Sequence, residues 1–312
     1  MIRTKGINVC SAFDGISGAQ VALEYLGIPV DNYYSLETDK YAISVTQKNY
    51  PETIQLGDIR KIAISNHQIY IDGIGGDQMP KIDLFVGGFP CQDLSFAGHQ
   101  KGFQEGTRSS LFFEFLRLLD EIKPTYFLVE NTLMKKEYQD IISEKLGVQP
   151  IMINSNLVSG QERKRNYWTN IPEVGQPEDL GIMLSDCLES QTGEILYEEP
   201  YVKLNSKTKF VDRDKSYCID ANYFKGGNLK SYFEKRRRQL VFTNDEKTTY
   251  RKLTPTECEC LQTFPKGYTE GISNTQRYKA LGNAFNVLTI ASILAPSRYH
   301  FEMAVASYTK SV

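Results

Sequence analysis

The sequence predicts an α/β chain: a mostly parallel sheet with helices on both faces, into which a small lobe is inserted late. Apolar strand-like runs alternate with stretches of helical spacing over the first 175 residues. That rhythm breaks over 176–250 and then resumes. The third observation is where the polar chemistry falls. Asp14, Glu37, Cys91 and Glu130 stand at or just after the ends of predicted strands, and open parallel sheets bind ligands beyond the carboxyl ends of their strands.

Gly6–Phe13 is mostly apolar and runs into Asp14-Gly15, after which Ala19, Leu23 and Leu26 keep helical spacing up to a stop at Gly27. Asn32–Glu37 reads as a second strand and Tyr41–Asn49 as a second helix. Ile82–Val86, apolar except for Asp83, ends at Gly87-Gly88. Leu111–Leu119 is helical in spacing, and Tyr126–Val129 and Ile151–Leu157 read as strands. Residues 176–250 are polar and aromatic, with Gly226-Gly227 and a run of four cations at 235–238. From Thr254 a helix start is signalled by the Thr cap, Pro255 in the first turn and Glu257 three residues beyond the cap. Ala284–Leu294 reads as a helix packed back on the sheet. The expected domains are a body of residues 1–175 and 251–312 and a lobe of 176–250.

Composition narrows the function classes. With 41% hydrophobic residues the chain can build a substantial core. Its six cysteines contain no CxxC pair and it has three histidines, so neither a zinc site nor a disulfide framework is expected. No stretch reaches 18 apolar residues and the N-terminus lacks a secretory pattern, which points to the cytoplasm. The net charge of −2 is uninformative, but residues 201–252 hold 14 Lys+Arg against 6 Asp+Glu. A basic segment on an acidic body suits a local polyanion contact, or a solvated charged loop.

The turn Phe13-Asp14-Gly15-Ile16-Ser17-Gly18 between a strand and a helix, with Glu37 at the next strand end, suits a nucleotide or a plain structural turn equally. It does not separate nicotinamide cofactors from S-adenosylmethionine. Asp58, after a further possible strand, can reach an adenine amino group or cap a helix. Gly87-Gly88-Phe89-Pro90-Cys91-Gln92-Asp93-Leu94-Ser95 is more specific. Cys91 lies beyond a strand among polar residues, where helix N-terminal amides lower a thiol pKa. Glu130-Asn131 and Gln161-Glu162-Arg163-Lys164-Arg165 follow two other strands. A thiolate, a protonatable carboxylate and guanidinium groups form a set suited to attack on a pyrimidine ring.

In order along the chain, FDGISG, SLETD, FPCQDLS, SSLFFEFLR, VENT, QERKRNYW, RKLTPTECECLQTFP and ALGNAFNV resemble the motif series of the DNA cytosine-5 methyltransferases over roughly 6–172 and 250–296. The wording SAFDGI, LFFEF and YWTNIP leans towards the animal de novo type, and the small size towards a phage or bacterial relative. The resemblance implies the Rossmann-like fold of the S-adenosylmethionine-dependent methyltransferases, with 176–250 as the target-recognition domain. It implies methyl transfer from S-adenosylmethionine to C5 of a flipped cytosine in double-stranded DNA. Cys91 would be the nucleophile, Glu130 the acid at N3, Arg165 the partner of the cytosine O2, and Arg163 a support for Cys91 and a nearby phosphate. Asn131 would order the Pro90-Cys91 loop.

Phe13, Asp14, Gly15, Ile16, Glu37, Thr38, Asp58, Ile59, Pro90, Leu111 and Asn283 would line the cofactor pocket. Gln92 and Ser95 would touch the DNA backbone, and Phe96–Arg108 would close over the base. In the lobe, Asn222, Lys225, Lys235, Arg236, Arg237 and Arg238 are the candidate DNA contacts, the cationic run serving phosphates, bases or a solvated helix face. Thr132 stands where the family has valine, and Ser11-x-Phe13 where the bacterial form has an acid; neither removes a reacting group. No metal is implied, and a restriction endonuclease partner and a monomeric or homodimeric state are both compatible. Other readings are a tRNA cytosine-5 methyltransferase on the same fold, a non-catalytic DNA-binding paralogue, and a dinucleotide oxidoreductase, which would account for the first turn alone.

Overall fold

The structure is a computed structural model that describes residues 6–90, 110–189, 197–198, 213–242 and 249–298. The chain divides into two compact units, Met1–Ile153 with Lys164–Gln176 and Thr289–Val312, and Asn154–Arg163 with Pro177–Leu288. Residues 251–288 and 154–163, which the sequence groups with the body, therefore fall in the second unit.

The first unit runs β1 (Ile7–Ala12), α1 (Gly18–Tyr25), β2 (Val30–Leu36), α2 (Lys40–Asn49) and β3 (Ile54–Gln55). A three-stranded antiparallel insert follows, β4 (Ile62–Ser65), β5 (Gln68–Ile71) and β6 (Ile74–Gln78). Then come β7 (Leu84–Gly87), α3 (Leu111–Ile122), β8 (Tyr126–Thr132), α4 (Lys136–Leu146), β9 (Ile151–Asn154) and β10 (Lys164–Thr169). The main sheet has the order β3-β2-β1-β7-β8-β10-β9. Its first five strands pair in parallel, and β10 lies antiparallel to β8. Successive connections leave β1 in opposite directions, so the switch point lies between β1 and β7, where such sheets open a crevice.

Burial explains the strands. All six residues of β1 and all four of β7 are buried, as a central parallel strand covered on both faces requires. Phe85 of β7 stacks on Phe115 of α3 at 4.4 Å between ring centres. Trp168 on β10 is fully buried and donates its indole N–H to Ser143 Oγ of α4 at 2.9 Å. The run 151–157, expected to be one strand, stops at Asn154; the Asn154 side chain accepts from the Asn156 amide and turns 155–157 into a 3-10 segment.

The second unit contains β11 (Tyr197–Glu198), α5 (Leu229–Phe233), β12 (Leu240–Phe242), β13 (Thr249–Lys252), α6 (Pro255–Leu261), α7 (Asn274–Asn283) and the start of α8 (Val287–Leu294). Strands β11-β13-β12 form a small antiparallel sheet. Tyr232, Leu240 and Tyr250 are its buried core, flanked by Tyr217, Phe233 and Phe242. Helix α6 opens with the Thr254–Glu257 capping box and Pro255 that its sequence announces. Glu257 is fully buried and forms a two-pronged ion pair with Arg251, both contacts at 2.7 Å. One expectation needs correcting: Cys187 and Cys260, 73 residues apart, are joined as a disulfide. No helix among the described residues is long and apolar enough to cross a membrane.

Candidate active site

The loop that follows β1 is bent hard. Phe13 (φ 56°), Gly15 (φ 60°) and Ser17 (φ 56°) all occupy the left-handed region. For Phe13 and Ser17, which carry a Cβ, that conformation costs roughly 1–2 kcal/mol each. Such backbone persists where the surroundings over-determine it, and here they do. The Phe13 amide donates to Leu36 O at 2.8 Å, and the Gly15 amide to Glu37 Oε2 at 2.8 Å. Beneath the loop Asp14 is 5% exposed, and its carboxylate accepts from Ser17 Oγ (2.5 Å), Tyr33 Oη (2.8 Å) and Ser35 Oγ (3.0 Å). Burial pushes the Asp14 carboxyl above its ordinary range, opposed by the neighbouring hydroxyls. Ser17 occupies the N-cap of α1, yet its hydroxyl goes to Asp14 rather than to a helix amide.

Glu37, at the end of β2, also accepts from the amides of Thr38 (2.7 Å) and Asp39 (2.8 Å). Asp58 follows β3; it caps the short 3-10 turn Ile59–Lys61 and pairs with Arg60, which holds its carboxyl below the usual range. Ile16 and Ile59 are buried, Leu111 is half-buried at the start of α3, and a Cβ built on Gly15 would meet nothing within 4 Å. An open-faced glycine after β1, with one acid beyond the neighbouring β2 and another beyond β3, fits a ligand that offers hydroxyl and amino donors.

The other cluster lies at the end of β8. In the antiparallel β8–β10 register Glu130 faces Tyr167 and Thr132 faces Arg165, so the Arg165 side chain reaches diagonally back to Glu130. Arg165 Nε and Glu130 Oε1 are 2.9 Å apart, with side chains 17% and 13% exposed. Next to Glu130, the buried Asn131 donates its amide to Phe89 O at 3.1 Å and so tethers the segment leading to Pro90. Cys91, Gln92 and Ser95 lie outside the described residues. Of the described cysteines, Cys10 and Cys258 are buried with thiols pushed up chiefly by burial, Cys187 and Cys260 are paired, and Cys218 lies 3.4 Å from Arg163 Nη1.

Arg163 occupies different surroundings from Arg165. Within the second unit its guanidinium, 3% exposed, donates to the carbonyls of Ile219 (3.1 Å), Gly282 (3.4 Å) and Ala284 (2.7 Å). It ties the chain at 218–219 to the end of α7. Gly282 there is pressed against backbone: a Cβ would sit 2.2 Å from Ala221 N and Asp220 C. Asn283 beside it is exposed. Beyond this tie, Asn222, Lys225, Lys235, Arg236 and Arg237 are exposed, while the half-buried Arg238 donates to Lys225 O at 3.2 Å. Residues 235–238 follow α5 as irregular chain with left-handed Arg236 and Arg238, so the run is not a helix face.

Known proteins share this plan. A family model described as C-5 cytosine-specific DNA methylase matches residues 7–146 and 132–296. The type II methyltransferase M2.ScrFI of Lactococcus lactis subsp. cremoris is 31% identical over 82% of this chain and 72% of its own length. The orphan methyltransferase M.SPRI of Bacillus phage SPR is 36% identical over 78% of this chain and 53% of its own. Among solved structures, that of Spodoptera frugiperda DNMT2 superposes with a TM-score of 0.63 at 20% identity, covering 93% of this chain and 99% of that one, a likeness of fold. Matched by that family model over nearly its whole length, the chain belongs to the C-5 cytosine-specific DNA methylases, enzymes of cytosine C5 methylation.

Proposed function

We propose that the methyl donor is S-adenosylmethionine, that the target is a cytosine flipped out of double-stranded DNA, and that Cys91 is the nucleophile. The observation that carries this is the Glu130–Arg165 pair at the end of β8, beside the loop tethered by Asn131. A carboxylic acid and a guanidinium 2.9 Å apart match N3 and O2, adjacent polar atoms on one edge of cytosine. The neighbouring acids support the donor. Glu37 retains acceptor capacity for ribose hydroxyls, Asp58 for an amino group, and Phe13, Gly15, Ile16, Thr38, Ile59, Pro90 and Leu111 complete the proposed pocket. S-adenosylmethionine supplies an electrophilic methyl group.

The Cys91 thiolate adds to C6, forming a C–S bond while Glu130 delivers a proton to N3. Arg165 holds O2, where electron density grows. The ring is now an enamine whose C5 can take the methyl group. Loss of the C5 proton to a base, rupture of the C–S bond and return of the N3 proton to Glu130 then restore the thiolate and the acid and leave 5-methylcytosine. The ring faces are closed within a duplex, so the base must be extruded at a cost of a few kcal/mol. Contacts from the recognition lobe, residues 176–250, with Gln92 and Ser95, would offset that cost. Asn222, Lys225, Lys235, Arg236 and Arg237 are exposed and would supply them, with Arg238 as an underpinning. Arg163 would act through the 218–219 and 282–284 backbone it clamps. The setting proposed is the cytoplasm of a bacterial or phage-infected cell.

Duplex DNA carrying 5-fluorocytosine tests the mechanism, because the fluorine cannot leave as a cation and the adduct persists. With S-adenosylmethionine present, wild-type protein should form a complex that survives denaturing electrophoresis, and Cys91→Ser should form none. A wild-type protein that methylates DNA yet never traps would sink the Cys91 assignment.

A further inference from the structure

We propose that Asp14 is a positioning residue: its buried carboxylate fixes the 13–17 loop from below for S-adenosylmethionine and does not itself touch the ligand. The inference rests on reading that loop as the donor site. Its own support is geometric. Both carboxylate oxygens are engaged, Oδ1 by Tyr33 Oη and Oδ2 by Ser17 Oγ and Ser35 Oγ. Ser11, Ser17 and Ser35 are at most 1% exposed, and Tyr33 is 3% exposed. The donors come from β2 and from the N-cap of α1, and Ser17 Oγ also meets Thr46 Oγ1 of α2 at 3.0 Å. The carboxylate thus joins the loop to two neighbouring elements. Directly above it, the Ser17 amide donates to Asp14 O, and the backbone turns through left-handed Phe13, Gly15 and Ser17. A charge-assisted cluster of this kind is what holds otherwise unfavourable backbone in one conformation.

Two kinds of residue separate the alternatives. Tyr33 and Ser35 are buried on β2, and their hydroxyls donate to the Asp14 carboxylate. In the full-length protein, S-adenosylhomocysteine binding is measured by calorimetry for wild type, Asp14→Asn, Tyr33→Phe and Ser35→Ala. Hydrogen exchange of the Gly15 and Ser17 amides is followed without ligand. Asp14→Asn should weaken binding by about tenfold and the two β2 variants by about threefold, less than the roughly ten- to hundredfold of a direct hydrogen bond to a charged group because the effect reaches the ligand through the loop. All three should speed exchange at the loop, and kcat at saturating donor should stay within about twofold for Tyr33→Phe and Ser35→Ala. Unchanged binding and exchange in both β2 variants would overturn the inference, and a loss confined to Asp14→Asn would mean that Asp14 meets the ligand directly. If Asp14→Asn does not fold, the β2 pair still decides. Wild-type protein that binds no S-adenosylhomocysteine would instead overturn the reading of the loop as the donor site.

Discussion

At the end of β8, Glu130 and Arg165 owe their contact to strand register, whereas the loop at the end of β1 owes its shape to side chains. The first arrangement is made by backbone ladders between β8 and β10, which place every second residue on one face. The second depends on Asp14, Glu37 and four hydroxyl-bearing residues, none of which belongs to a repeating pattern. A ladder tolerates loss of one side chain without moving its neighbours. A strained loop held by a few polar groups does not. The Glu130–Arg165 pair, proposed to meet the pyrimidine, should therefore fail chemically when altered, and the 13–17 loop, proposed to meet the donor, should fail by losing its shape.

Glu130→Gln gives the sharpest break. It keeps size and removes the proton, and should lower kcat by about 10²–10³-fold while leaving S-adenosylhomocysteine affinity unchanged in the same calorimetric assay. A matching fall in donor affinity would show that the two clusters are not separable. Glu37→Gln comes next. Its carboxylate receives three backbone amides, so the change should weaken donor binding by about tenfold, read as a rise in KM for the donor with kcat nearly constant. Gly15→Ala is the mildest. A Cβ there meets only open space but sits at φ 60°, so melting should report a loss of about 1 kcal/mol. A loss of donor affinity well beyond that figure would mean that the open space over Gly15 belongs to the ligand.

The parts of this molecule that were legible in its sequence are those where a local signal coincides with a structural role. Strands β1, β2 and β7 end where apolar runs meet Asp14, Glu37 and Gly87, and α6 begins at a complete capping box, whereas β8 runs on past Glu130 to Thr132 because β10 pairs with it there. The insert β4–β6, unforeseen from the sequence, turns at Asn66-His67 and Asp72-Gly73, all left-handed, and its strands of four or five residues are too short for a clear alternation. Tyr33 and Ser35 gave no such signal, since a tyrosine and a serine on a strand declare nothing until Asp14 is folded beneath its loop. The Cys187–Cys260 pair was illegible for the same reason: 73 residues of chain separate its halves. In Gln161-x-Arg163-x-Arg165 the resemblance put both arginines beside the reacting groups, Arg165 at the cytosine O2 and Arg163 at Cys91 and a nearby phosphate. One is buried among carbonyls and the other faces a carboxylate, and only the break in the strand before Lys164 separates them.

The close approach at Gly282 bears on how the exposed residues proposed to read DNA could vary over generations. Backbone meets backbone there, and the Arg163 clamp grips carbonyl oxygens rather than side chains. The exposed residues that begin at Asn222 are thus hung from a bracket indifferent to their identity. Substitutions among them can accumulate without loosening the frame, whereas any replacement of Gly282 must displace the chain at 220–221. Innovation and constraint sit one peptide apart.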